Sequence, residues 1–175
     1  GIVCVDSRHD GTPDLADKEL AVLLERVARN QPHLAVIFDC CHSGSGTRSV
    51  DELLGARSRH TGPADTRDLD SYLEGFYKKQ QDSGRGLFIP KSRHVLMAAC
   101  DRTQLALEKG GSGVFSATMK EVLSGATDRL PNYAQLFAEC RIAVRKRATN
   151  QDPQFDSYEG FNAYSGFLGG AADPG

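Results

Sequence analysis

Asp39-Cys40-Cys41-His42-Ser43-Gly44-Ser45-Gly46 brings a carboxylate, two thiols, an imidazole and two hydroxyls together directly after the apolar run Leu34-Ala35-Val36-Ile37-Phe38. Such a run is the pattern of a strand covered on both faces, and the carboxyl ends of parallel strands are where α/β sheets bind ligands. A thiol there is partly exposed and able to become a thiolate, and a short Gly-containing loop lets a substrate backbone approach closely. Cys41 meets that description. Side chains alternate along a strand, so Cys40 should face the other way, towards a helix, as a core residue, and His42 is poorly placed to serve Cys41 as a base. A Cys40–Cys41 disulfide would be strained, because consecutive α-carbons lie about 3.8 Å apart and disulfides usually need roughly 4.4 to 6.8 Å. Zinc fits poorly, since contiguous Cys40, Cys41 and His42 lack the spacing of a chelating turn. A hydrolase built on Ser43 would want Gly two residues earlier, where Cys41 stands.

The elements that must position this loop follow from hydrophobic spacing. Gly1-Ile2-Val3-Cys4-Val5 predicts a strand. Leu20, Leu23, Leu24, Val27 and Ala28, after Asp17 and before Asn30 and Pro32, predict a helix with one buried face. Strand, helix and the second strand at 34–38 suggest a right-handed parallel crossover. Residues 46–93 change character: charges alternate with Gly, Ser, Thr and Pro, which predicts an exposed insertion, with Tyr72, Leu73, Phe76 and Tyr77 as its apolar patches. Val95 to Ala99 resumes the buried-strand pattern. Phe115, Met119, Val122 and Leu123 form a helical stripe closed by Ser124-Gly125, and Tyr133, Leu136, Phe137, Cys140 and Val144 form another. Arg141, Arg145, Lys146 and Arg147 gather towards the end of that last helix, where cations suit the dipole. Gly110-Gly111-Ser112-Gly113 reads as a turn starting a helix; it lacks the Lys of a phosphate loop. Cys4, Cys100 and Cys140 sit in apolar patterns and read as core.

A length of 175 residues predicts one domain of roughly ordinary size, and the net charge of −2 and pI of about 6.2 disfavour a charge-driven nucleic-acid binder. No run approaches a membrane span and no signal peptide is evident. Five irregularly spaced cysteines suit a reducing compartment better than a disulfide framework, so the expected location is cytoplasmic.

The order Asp-x-Cys-His-Ser-Gly after an apolar strand resembles the nucleophile motif of caspase-like cysteine peptidases, most closely the metacaspase and bacterial orthocaspase branch. Val5-Asp6-Ser7 with Asp17-Lys18-Glu19-Leu20 resembles the segment before that strand. His94 to Cys100, Asp101 to Glu108, and Gly113-Val114-Phe115 resemble the small-subunit strand, specificity loop and following helix. The resemblance implies an α/β fold, a three-layer sandwich with a largely parallel central sheet flanked by helices and the N-terminal part of the fold missing. It covers residues 1–168 as a partial peptidase domain, with 46–93 as an insertion between large-subunit-like and small-subunit-like parts and 169–175 as a linker or tail. By the same resemblance Cys41 is the nucleophile, its backbone N–H is one donor to the oxyanion, and Asp39 lines the pocket for the residue before the scissile bond. An acidic pocket favours Arg or Lys there through charge-assisted hydrogen bonds. Asp101 is a second pocket carboxylate; Glu108 is a weaker one, since it could pair with Lys109.

The family's general base is a His in a His-Gly pair about 50 residues before the nucleophile in caspases. His9 precedes Asp10 and His33 precedes the strand itself, so neither forms that pair. The base is expected upstream of this chain, and the chain alone is expected to be inactive. Calcium activation, as in many metacaspases, is implied without an assignable ligand, and no cofactor is required for the chemistry. Expected partners are proteins or peptides with Arg or Lys before the cut bond, not nucleic acid or membrane. Arg57, Arg59, Arg67, Lys78, Lys79 and Arg85 of the insertion are possible self-processing sites. The rival reading is a caspase-like fold kept as a non-catalytic interaction or regulatory module; a thiol redox sensor is a third.

Overall fold

Apolar runs at 35–38 and 94–98 pair side by side because each can bury its β-branched and aliphatic side chains only against the other and the helices that follow. The computed structural model describes residues 2–40, the backbone of 57–58, and residues 67–84, 86–101, 104–126 and 129–170. Cys41 and the rest of 41–56 lie outside the described residues, as do Arg59 and Arg85. The chain divides into two compact units, Gly1–Pro32 with Pro63–Ser92, and His33–Gly62 with Arg93–Gly175.

In the second unit β1 (Ala35–Phe38) runs parallel to β3 (His94–Ala98), in the register Ala35↔Val95 to Phe38↔Ala98. On the other side of β3, β6 (Gln154–Tyr158) pairs antiparallel, from His94↔Tyr158 to Ala98↔Gln154. The sheet is therefore mixed, with β3 central and its Val95 and Met97 fully buried. A second small sheet joins β2 (Arg57–Ser58), β4 (Leu107–Lys109) and β5 (Ser112–Gly113) in that order of pairing, all antiparallel. Gly110 and Gly111 both have positive φ, 63° and 80°, the conformation that a two-residue hairpin turn requires and that glycine adopts without strain.

Helices α3 (Val114–Gly125) and α4 (Tyr133–Arg147) supply the apolar stripes that close this core, through Phe115, Met119, Tyr133, Leu136, Cys140 and Val144. Asn132 caps α4 locally: its side chain accepts the Gln135 N–H at 2.8 Å, and the Gln135 side chain accepts the Asn132 N–H at 3.0 Å. The basic cluster of α4 is partly committed, since Arg141 forms a two-point pair with Asp152 and Arg147 pairs with Glu121 of α3.

The first unit holds α1 (Asp17–Ala28), as the spacing predicts, and a short α2 (Phe76–Asp82) within the insertion. Its core is Val22 with Tyr72 and Tyr77, and Leu73 and Phe76 pack against it partly buried, so the apolar patches of the insertion are not left exposed. Glu19, at the third helical position, reaches back to the Ala16 N–H at 2.8 Å and also accepts the Leu73 N–H at 3.0 Å and Arg67 at 2.6 Å. The N-terminal strand does not form. Ile2 makes a single bridge to Leu15, Cys4 is exposed and Val5 is 99 % exposed, because the turn from Cys4 to Thr12 folds the segment back on itself. Cys4 is thus not a core residue, and the parallel pair forms between β1 and β3 instead of across α1.

Candidate active site

Two of the three predicted site residues come from the carboxyl ends of neighbouring parallel strands. Asp39 is the first residue after β1 and Asp101 follows shortly after β3, and the Ala99 N–H donates to the Phe38 carbonyl at 2.8 Å, extending the pairing to that edge. The third, Cys41, lies outside the described residues.

Asp39 leaves β1 on the side facing α3. Ile37, two residues earlier and so on the same face, lines a groove with Ser116, Met119, Lys120 and Leu123 of that helix. The Asp39 carboxylate rests on the first turn of α3: Oδ2 accepts the Ser116 N–H at 3.0 Å. That donor is one of those a helix start leaves without an intrahelical partner. Oδ1 is buried and has no hydrogen-bond partner among the described residues. The start of α3 sets the positive end of its dipole beside this carboxylate. Its free oxygen offers a strong acceptor to whatever donor enters, and a cationic side chain is the partner that best offsets the cost of burying it.

The loop carrying Asp101 is braced from below. Gln151, fully buried, donates to the Ala99 carbonyl at 3.0 Å and accepts the Leu107 N–H at 3.0 Å, so one side chain ties the two ends of the loop. Gln104 accepts the Asp152 N–H at 2.7 Å and the Asp101 N–H at 3.4 Å. The Cys100 thiol contacts the Cys40 carbonyl at 4.0 Å and the Gln104 carbonyl at 3.5 Å, linking the ends of β1 and β3. Cys100 and Cys140 are buried as predicted, whereas Cys40 is only partly buried. Burial pushes the Cys140 thiol up to about 11, which removes it as a nucleophile. Glu108 sits in β4 opposite Gly113 and Arg57.

The described imidazoles of this unit lie at the wrong end of the sheet to serve as base. His33 precedes β1 and bonds the Tyr133 hydroxyl at 2.8 Å, while His94 opens β3, buried and stacked on Tyr158 with ring centres 4.6 Å apart. Both belong to the amino edge, opposite Asp39 and Asp101. Among the described residues no group of three or more His, Cys, Asp or Glu is placed to hold a metal ion. No described helix is long and apolar enough to cross a membrane.

Gly113, Ser116 and Gln151 carry the geometry of the site; in the sequence Gly113 shows only as part of a helix-starting turn, and Ser116 and Gln151 stand in no motif. A signal was present in one case: α3 begins at Gly113 without a side-chain cap of its own, so its cap had to come from elsewhere.

The family model for the caspase domain matches residues 6–161. No curated protein matches the chain. A crystal structure of protein GSU0716 from Geobacter sulfurreducens is similar, at 19 % identity and a TM-score of 0.50, over 100 % of this chain and 63 % of that one. At that identity the likeness bears on the fold alone.

Proposed function

The chain belongs to the caspase domain family, one of cysteine peptidases, and from that membership we propose that it is an endopeptidase of metacaspase type cutting after Arg or Lys. Cys41 is its nucleophile, and Asp39, with Asp101, receives the basic side chain. One observation carries the specificity: the partly buried Asp39 carboxylate keeps an oxygen without a partner among the described residues, at the strand edge two residues before Cys41.

In the proposed reaction the Cys41 thiolate attacks the carbonyl carbon after Arg or Lys, and the oxyanion accepts hydrogen bonds that include the Cys41 N–H. The tetrahedral adduct collapses with cleavage of the C–N bond, and the protonated base gives its proton to the leaving amine. Water then attacks the thioester, the base takes its proton, and the acid product and thiol are released. The base is a His contributed from sequence upstream of Gly1. Within the insertion, self-processing is proposed at Arg57, Arg59 or Arg85. Peptidases bind substrates as extended strands, whereas Lys78 and Lys79 lie in α2, and Arg67 is held by Glu19.

The test is cleavage of fluorogenic peptides ending in Arg, Lys or Asp, with and without calcium. It uses this chain, the chain extended upstream, and the extended chain with Cys41→Ala. Activity of the extended form on Arg or Lys peptides, lost with Cys41→Ala, is the expected result. Silence of a folded extended form on every peptide would favour the non-catalytic module, and cleavage after Asp would overturn the role of Asp39.

A further inference from the structure

Gly113 has an ordinary backbone conformation, φ −61° and ψ 136°, which any residue adopts, so its identity is not explained by the turn it belongs to. Space explains it. A Cβ at position 113 would fall 1.9 Å from Asp39 Oδ2, 2.4 Å from Cγ and 2.7 Å from Oδ1, inside the volume of the whole carboxylate group. The carboxylate lies on the bare Cα of Gly113 and accepts the Ser116 N–H from there.

We infer that Gly113 is a positioning residue for substrate recognition: by lacking a side chain it seats the Asp39 carboxylate on the first turn of α3, with Oδ2 spent on the helix and Oδ1 turned to an incoming Arg or Lys side chain. The recognition half rests on the function proposed above; the seating of the carboxylate does not. The seat also couples two parts of the chain. It fixes the end of β1, two residues before Cys41, to the start of α3, so the orientation of Oδ1 is set by that helix. With Ala at 113 the carboxylate must withdraw by more than about 1 Å to reach ordinary contact, losing the Ser116 N–H and the alignment of Oδ1 together.

The experiment is a double-mutant cycle of Gly113→Ala and Asp39→Ala in the upstream-extended protein. Thermal unfolding comes first and needs no activity. Gly113→Ala should lower Tm by roughly 4–8 °C when Asp39 is present. With Asp39→Ala the same change should leave Tm within about 2 °C or raise it, because alanine suits this φ and restricts the unfolded chain. Equal depression in both backgrounds overturns the inference. Should Gly113→Ala fail to fold, its rescue by Asp39→Ala is the expected outcome, and failure of rescue overturns it.

Kinetics come second. Gly113→Ala should lower kcat/KM for an Arg peptide about ten- to a hundredfold while the rate of alkylation by iodoacetamide, mapped to Cys41, stays within about twofold. A parallel fall in alkylation would mean a general disturbance around Cys41 and would overturn the positioning role. If none of the four proteins cleaves any peptide, the recognition half falls with the proposed function, and the thermal cycle still decides whether Gly113 seats the carboxylate.

Discussion

A carboxylate whose two oxygens are both engaged and one that holds an oxygen back serve different ends, as Glu19 and Asp39 illustrate. Glu19 uses Oε1 for the Leu73 N–H and Oε2 for the Ala16 N–H and Arg67, and Arg67 in turn lies over the Tyr72 ring at 4.3 Å. Gln at 19 would present an NH2 to donors, so Glu19→Gln should cost about 3 kcal/mol in urea unfolding. Burial alone would raise the Glu19 carboxyl, but the Ala16 N–H, Arg67 and the Leu73 N–H outweigh it and hold it below the usual 4.5. The folded state thus prefers the ionised form. As pH falls from about 4.5 the unfolded chain takes up the proton first, and the contribution of Glu19 is full above that pH and lost as pH drops through the lowered folded value. The stability gap between wild type and Glu19→Gln should therefore shrink on acidification; a gap constant from pH 6 to pH 3 would contradict this. Asp39, by contrast, has one oxygen engaged. Asp39→Asn keeps an oxygen for the Ser116 N–H and removes the charge, so Tm should stay within about 3 °C of wild type. Cleavage of Arg peptides should nonetheless fall about ten- to a hundredfold.

Helices and strands here are held by contacts of very different range, and that range decides what a sequence can reveal. α1, α3 and α4 were legible because their stripes recur at helical spacing, and β1 and β3 because they are unbroken apolar runs. β6 was not, since Gln154-Phe155-Asp156-Ser157-Tyr158 has polar residues at three of its five positions and exists as a strand only because β3 offers its second edge. The false strand at 2–5 shows the converse: an apolar run without a partner strand remains exposed. The candidate site divides the same way. Asp39 and Asp101 were picked out through the family resemblance of the segments that carry them, but the Asp39 cap on α3 joins residues 77 apart, and no local pattern announces it. Gln151 is equally remote, reaching Ala99 and Leu107 from beyond α4. Gln151→Leu would leave a buried carbonyl and a buried N–H unpaired at the two ends of the Asp101 loop. It should cost about 2–4 kcal/mol by denaturant midpoint. In an active form it should also reduce discrimination between Arg and neutral peptides. A loss of less than about 1 kcal/mol would mean the loop is braced without it.

At the scale of the whole molecule, stability is unevenly supplied. The second unit has a central strand bonded on both sides, β3, and around it a continuous core of Val95, Met97, Phe115, Tyr133, Leu136 and Val144, all fully buried. The first unit relies on Val22, Tyr72 and Tyr77 with the Glu19 cluster. Backbone amides exchange through the cheapest opening that frees them, and a small separate core opens at lower free energy than a large one. Amides of α1 and of 72–82 should therefore exchange before those of β3. Val22→Ala sharpens the comparison, because it removes two buried methyl groups from a residue 1 % exposed, at a cost of about 2 kcal/mol. That corresponds to roughly thirtyfold faster exchange wherever opening of the small core governs it. The acceleration should be confined to α1 and 72–82, with the β3 amides Val95 to Ala98 unchanged. If β3 accelerates by the same factor, the two cores open as one cooperative unit, and Glu19 and Gln151 substitutions should then shift the same global transition instead of two separable ones.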